Sequence, residues 1–206
     1  MTARHSGGDF AVKPTLTGER VVLRPFRDDD FPAIERALRD PEIIRLTGST
    51  PLVWDETAER RLREWYGTRN RQTDRLDLAI ADRATGEWAG EVVLNELDRR
   101  NAACNFRILV GPQRQDRGLG SEAMGLLLPY AFRQLHLHRV ALSVYDFNPR
   151  ARHVYEKAGF VAEGRLRHTL RTPDGWADTI VMAALSPDLH PPTPDPDPAA
   201  LTPGRP

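Results

Sequence analysis

Gln115-Asp116-Arg117-Gly118-Leu119-Gly120-Ser121-Glu122-Ala123 follows an apolar, strand-like run at 106–110 and opens into an apolar, helix-like run ending near residue 135. Two glycines one residue apart let the backbone turn so that successive N–H groups face one concavity. A helix N-terminus behind them adds the positive end of its dipole. Together they form a binding site for a pyrophosphate or a similar anion.

Three readings of this loop compete. It can be a plain strand-to-helix turn with no ligand. It can be a dinucleotide fold, because Gly118-x-Gly120-x-x-Ala123 fits the glycine fingerprint literally. That fingerprint belongs directly after the first strand of a long alternating series, whereas this one lies past the middle of the chain, with one further strand–helix–strand unit after it. The third reading is a cradle for the pyrophosphate of an acyl-CoA.

The downstream sequence separates them. A strand is expected at 140–145, followed by Asp146-Phe147-Asn148-Pro149. Asn148 before Pro149 starts a helix twice over, with a side-chain cap and then a proline in the first turn. Ala151, Val154, Tyr155 and Ala158 recur at helical spacing, Gly159 is placed for a left-handed cap, and Phe160-Val161 begins another strand.

Gln115-x-x-Gly118-x-Gly120, followed about thirty residues later by Asn148-x-x-Ala151-x-x-x-Tyr155-x-x-x-Gly159-Phe160, resembles the GNAT superfamily of acetyl-CoA-dependent N-acetyltransferases. Leu23-Arg24-Pro25-Phe26, Glu163-Gly164-Arg165-Leu166-Arg167 and Asp174-Gly175-Trp176-Ala177-Asp178 before Ile180-Val181-Met182 resemble its branch of ribosomal-protein-alanine and spermidine-type acetyltransferases. The resemblance runs from about residue 16 to 185. It implies an α/β (α+β) fold, with a mixed, mainly antiparallel sheet, helices on both faces and one βαβ crossover. The run of strands and helices read along the chain agrees with that class.

Strands are expected at 21–23, 76–82, 91–97 and 105–110, and helices at 29–38 and 55–69. Pro129 should bend the main helix where it removes the bond to the carbonyl of Gly125. Residues 1–12 read as a loose arm, 13–185 as the acetyltransferase domain, and 186–206, which hold eight of the seventeen prolines, as a disordered tail.

Composition narrows the function classes. The chain has 206 residues and balances 29 basic against 29 acidic residues, which gives no sign of a nucleic-acid or membrane-surface binder. A single cysteine excludes an intrachain disulfide and a cysteine-based zinc site. No run is long and apolar enough to cross a bilayer and no secretory leader is visible, so a cytoplasmic location is expected. No metal is expected either: His136 and His138 lack a third ligand, and they read as surface or cap residues.

The resemblance implies acetyl-CoA as co-substrate, gripped by Ile108, Leu109 and Val110 on the strand and by Gln115, Asp116, Arg117, Gly118, Leu119, Gly120 and Ser121 in the loop. Asn148 would bond the pantetheine arm. Strand 106–110 would splay from 142–145 and expose backbone N–H groups to the thioester. Tyr155 matches the family tyrosine that protonates the departing thiolate; otherwise it is a core aromatic with its hydroxyl at the rim.

The general base is less plain. Many members carry a glutamate on the central strand, where this chain has Asn105. A water relay, Glu91 or Glu96 can take its place, although both glutamates read equally as solvated edge charges. His168 sits in the segment that, by the resemblance, borders the acceptor pocket and is a candidate acceptor contact. Cys104 reads as a small core residue and not as an acetyl carrier. Arg60, Arg61, Arg63 and Arg69, with Trp65 among them, read as a solvated helix face ahead of a lid over the acceptor.

The expected function is acetyl transfer to a primary amine on a small molecule, a polyamine or a peptide N-terminus, in a ternary complex. The alternative is a catalytically silent acyl-CoA-binding domain, acting as a sensor or an interaction module: Asn105 argues for it and Tyr155 against it. Members of the family often form homodimers, and nothing in this sequence fixes the oligomer.

Overall fold

The computed structural model describes residues 9–51 and 53–186. Residues 1–8 of the expected arm and the expected tail from 187 onward lie outside them. The arm joins the folded body sooner than expected: Phe10 is fully buried in the main core, where its apolar ring gains from leaving water.

Eight strands form one sheet in the order β1-β2-β3-β4-β5-β6-β8-β7. They are β1 (Leu16–Thr17), β2 (Val21–Arg24), β3 (Leu76–Asp82), β4 (Trp88–Asp98), β5 (Ala103–Val110), β6 (Arg139–Tyr145), β7 (Val161–Thr172) and β8 (Gly175–Leu185). Every neighbouring pair is antiparallel except β5 and β6, which run parallel. The helix between those two is α4 (Leu119–Arg133), so the one βαβ crossover among the described residues falls at the quoted loop.

The other helices are α1 (Phe31–Leu38), α2 (Pro41–Thr47), α3 (Glu56–Arg69) and α5 (Pro149–Lys157). The expected helix at 29–38 begins as a 3-10 turn, Asp28–Asp30, before α1. The helix α2 was not expected, although its signals are strong. Asp40 accepts from the N–H groups of Glu42 and Ile43, Pro41 fills the first position, and Gly48 ends the helix at φ 63°. Helix α4 runs unbroken through Pro129.

Strand alternation divides the apolar residues between two faces. Leu76, Leu78 and Ile80 of β3 and Val92 and Leu94 of β4 join α4 residues such as Met124 and Leu127 in the main core, with α5 packed against it. Ala79 and Trp88 turn to the opposite face, against Phe26, Ile34 and Ala37, with Tyr66 of α3 alongside. The sheet therefore has helices on both faces. No helix among the described residues is long and apolar enough to cross a membrane.

The decisive irregularity is in the middle of the sheet. Strands β5 and β6 pair only at Ala103↔Arg139, Cys104↔Val140 and Asn105↔Ala141. Beyond those pairs β5 stays on β4 as far as Gly90↔Val110, while β6 stays on β8 as far as Tyr145↔Thr179. The two strands thus part into a wedge whose inner edges keep unshared backbone polar groups.

Candidate active site

A cleft of about 710 Å³ runs along this wedge. One end is formed by the glycine loop, Asn148 and Tyr155; the other is formed by Trp65, Tyr66 and Arg69 of α3, Arg75, Asp77 of β3 and Glu91 of β4. The strand residues Ile108, Leu109 and Val110 line the stretch between them.

Local geometry shapes the loop end. Gly118 is the N-cap of α4, with φ 74° and no side-chain cap bond, so the first N–H groups of the helix are left to another acceptor. A Cβ added at Gly120 would come within 3.1 Å of Val110 Cγ2 and 3.5 Å of Ile108 Cδ1, so the helix start lies hard against the wedge. Arg150 of α5 braces the loop, with one nitrogen 3.1 Å from Gln115 Oε1 and another 2.8 Å from Asp116. These features fit a diphosphate held at a helix N-terminus.

Of the residues expected to hold the co-substrate, Ile108, Leu109, Val110, Gln115, Asp116, Gly118, Leu119, Gly120, Ser121 and Asn148 all line the cleft. Arg117 does not. Its guanidinium pairs with buried Asp82 at 3.4 Å, because that carboxylate offers an opposite charge behind the loop. Asn148 caps α5 by accepting from the Ala151 N–H at 3.1 Å, which leaves its amide N–H groups for other partners.

Tyr155 lines the same cleft, half-buried and edge-on to Phe160 with ring centroids 6.0 Å apart. Burial pushes its hydroxyl up to about 12, so it holds its proton across the neutral range. Cys104 is buried in the main core and is not part of the cleft wall; burial pushes its thiol up to about 12. A thiol held protonated in that position is a poor acyl carrier.

The acceptor end departs most from the sequence reading. Asn105 is turned to Asn95, donating to its Oδ1 at 3.2 Å, and is not part of the cleft wall. Glu96 is exposed, on a separate recess with Asp74 and Arg99. Glu91 is no solvated edge charge: it is half-buried, faces the cleft and accepts from the Tyr66 hydroxyl at 2.9 Å.

Desolvation raises the Glu91 carboxyl to about 7, the nearby Asp77 charge adds to the rise, and the Tyr66 hydrogen bond and the arginines Arg107 and Arg75 oppose it. Alternation explains the facing. Val92 and Leu94 go to the main core, which sends Glu91 and Val93 to the cleft side.

Arg69 and Trp65, expected on a solvated helix face, both line the cleft, and Arg69 is 2 % exposed. His168 stands away from it. The ring stacks on Trp176, the backbone N–H of His168 donates to Asp178 Oδ1 at 2.7 Å, and the residue takes no part in the cleft wall.

The Acetyltransferase (GNAT) domain family matches residues 20–161. Spermidine N(1)-acetyltransferase of Escherichia coli (strain K12) is 30% identical over 163 residues, which are 79% of this chain and 84% of the relative. The crystal structure of spermidine N-acetyltransferase from Vibrio cholerae in complex with CoA and spermine superposes with a TM-score of 0.73 at 25% identity, covering 82% of this chain and 97% of that one. An acetyltransferase of the GNAT family from Bacillus anthracis shares the fold with a TM-score of 0.72 at 20% identity. Parted central strands, a glycine loop at the crossover helix and a family match over most of the chain make this protein a member of the GNAT acetyltransferases.

Proposed function

We propose that the protein transfers acetyl from acetyl-CoA to a primary amine by direct attack within a ternary complex. The acceptor is a small amine, a polyamine or a peptide N-terminus. The names of the spermidine-acetylating relatives support a small amine. The observation that carries the reading is continuity: one cleft joins the glycine loop and Tyr155 to a carboxylate with a raised pKa, Glu91.

In this reading the loop N–H groups and the α4 dipole hold the pyrophosphate, and the pantetheine arm lies in the wedge against β5. Glu91 takes a proton from the incoming ammonium. An ordinary glutamate is a weak base for a group with a pKa near 10. Raising the carboxyl from 4.5 to about 7 narrows that gap by roughly 3 kcal/mol. The freed nitrogen attacks the thioester carbonyl, and backbone N–H groups on the open edge of β5 face the oxyanion. The nitrogen, cationic once bonded, gives its second proton to solvent as the C–S bond breaks; the thiolate accepts the Tyr155 proton, the tyrosinate regains one from solvent, and Glu91 releases its own to solvent.

The test is release of free thiol from acetyl-CoA across polyamines, amino acids, aminoglycosides and short peptides, read against a blank without acceptor. Release with one class and appearance of its N-acetyl product are expected. Silence throughout, with acetyl-CoA bound, would overturn the transferase reading in favour of a sensor.

A further inference from the structure

Arg69 is the most deeply buried cation of the cleft, at 2 % exposure. Its Nη1 donates to Gln72 Oε1 at 2.6 Å, and its Cζ lies 3.3 Å from the ring centroid of Trp65. Its Nε and Nη2 have no hydrogen-bond partner. A buried guanidinium with two idle donors is an unusual arrangement, because ionised donors lose the most when left unmet.

The two idle atoms lie on one edge of the guanidinium. That edge binds a carboxylate with two parallel bonds elsewhere in this protein. Arg75 donates through Nε and Nη2 to the two oxygens of Asp77, both at 2.7 Å, and Arg45 does the same to Glu42 at 2.8 and 2.7 Å. Arg69 presents the same fork with nothing on it.

The charges around it point the same way. Arg69, Arg75 and Arg107 face this end of the cleft, against Asp77 and Glu91. Arg75 engages both oxygens of Asp77, and the Tyr66 hydroxyl engages Glu91. What remains is a surplus cation beside the proton acceptor. A guest with several positive charges meets repulsion there, whereas a guest with one negative charge does not.

We propose that the acceptor of this enzyme carries a carboxylate as well as its primary amine, the carboxylate pairing side-on with Arg69 while the amine meets Glu91. The proposal rests on the transferase reading and narrows it to amino acids and related amino carboxylates, away from polyamines. Trp65, 55 % exposed, stacks over the face of the Arg69 guanidinium, and the side-on guest takes the edge that this stacking does not use.

The experiment compares matched pairs. Glycine, β-alanine, 4-aminobutyrate, 6-aminohexanoate and L-methionine are each run against the corresponding amide, with spermidine alongside, in wild type and Arg69→Gln. In wild type at least one acid should exceed its amide and spermidine about 10-fold in kcat/KM, and that ratio should collapse toward one in Arg69→Gln. Comparing the ratio between the two proteins cancels the difference in amine basicity within each pair.

Equal use of acids and amides, a preference for spermidine, or an acid preference that survives in folded Arg69→Gln would overturn the proposal. Should the variant not fold, calorimetry on the CoA-loaded wild-type protein decides, with the N-acetylated acids against their amides. Selective binding of the acids supports the carboxylate site even if no amine is turned over, a result that sinks the transferase reading alone. Absence of that selectivity sinks the site.

Discussion

The Tyr66 hydroxyl donates to Glu91 Oε2 across 2.9 Å, tying the last turns of α3 to the cleft face of β4. The bond favours the ionised carboxylate, while desolvation favours the neutral acid and is the larger influence. Burial also raises the pKa of Tyr66 itself, so the hydroxyl stays a donor.

A proton acceptor must be empty to act. Turnover should therefore rise with pH through about 7 as Glu91 ionises, below any limb due to the amine itself. Tyr66→Phe removes a donor to the carboxylate and should move that limb to higher pH. Profiles of kcat from about pH 5.5 to 9 test both statements. A limb that is missing near neutrality, or unmoved in the variant, refutes them.

Glu91→Gln should lower turnover by about 10²–10⁴-fold while leaving acetyl-CoA affinity intact. The same change should stabilise the fold at alkaline pH. In the folded state the group holds its proton up to about 7, whereas the unfolded chain releases it near 4.5, so its contribution fades as pH rises between those values. The melting advantage of Glu91→Gln should therefore be larger at pH 8 than at pH 5, by about 1–3 kcal/mol. An equal advantage at both would mean that the carboxyl is not desolvated.

At Gly120, an added Cβ already meets Val110 Cγ2 at 3.1 Å. Gly120→Ala needs a shift of a few tenths of an ångström and should weaken acetyl-CoA modestly. Gly120→Trp fills the space between helix start and wedge and should abolish binding. Calorimetry on variants with native circular dichroism reads the difference, and full affinity in Gly120→Trp would dismiss the loop as the phosphate site.

Tyr155→Phe keeps the ring against Phe160 and deletes the hydroxyl that carries the proton. Turnover should fall by about 10²-fold or more, with acetyl-CoA affinity changed much less. Wild-type turnover in this variant would remove Tyr155 from the chemistry.

The parts of the site written in contiguous residues were legible in the sequence. Gly118 and Gly120 stand beside an apolar strand and act through their backbone, and Asn148 precedes a proline and caps a residue three positions on; both signals are local, so spacing alone reveals them. The acceptor end was not legible, because it is assembled by facing. Glu91 reaches the cleft only because Val92 and Leu94 fill the opposite face, and a strand with both faces buried gives no polar–apolar contrast to show which is which. Arg69 was hidden by its neighbours Arg60, Arg61 and Arg63, since an arginine-rich helix reads as solvated until Trp65 and β4 are in place beside it. Helix α2 carries in Asp40-Pro41 and Gly48 the same signals that were read correctly at Asn148-Pro149 and Gly159, yet it went unread. Its short length and lack of a clear apolar stripe concealed it.

Because β5 and β6 share only the pairs from Ala103↔Arg139 to Asn105↔Ala141, the sheet is two half-ladders joined by a short parallel seam. A ligand arm laid along the opening adds rungs that neither strand can give the other. The co-substrate is thereby also a rivet, and the halves should resist separation in proportion to how fully they are riveted, so that the temperature of melting climbs with the logarithm of acetyl-CoA concentration.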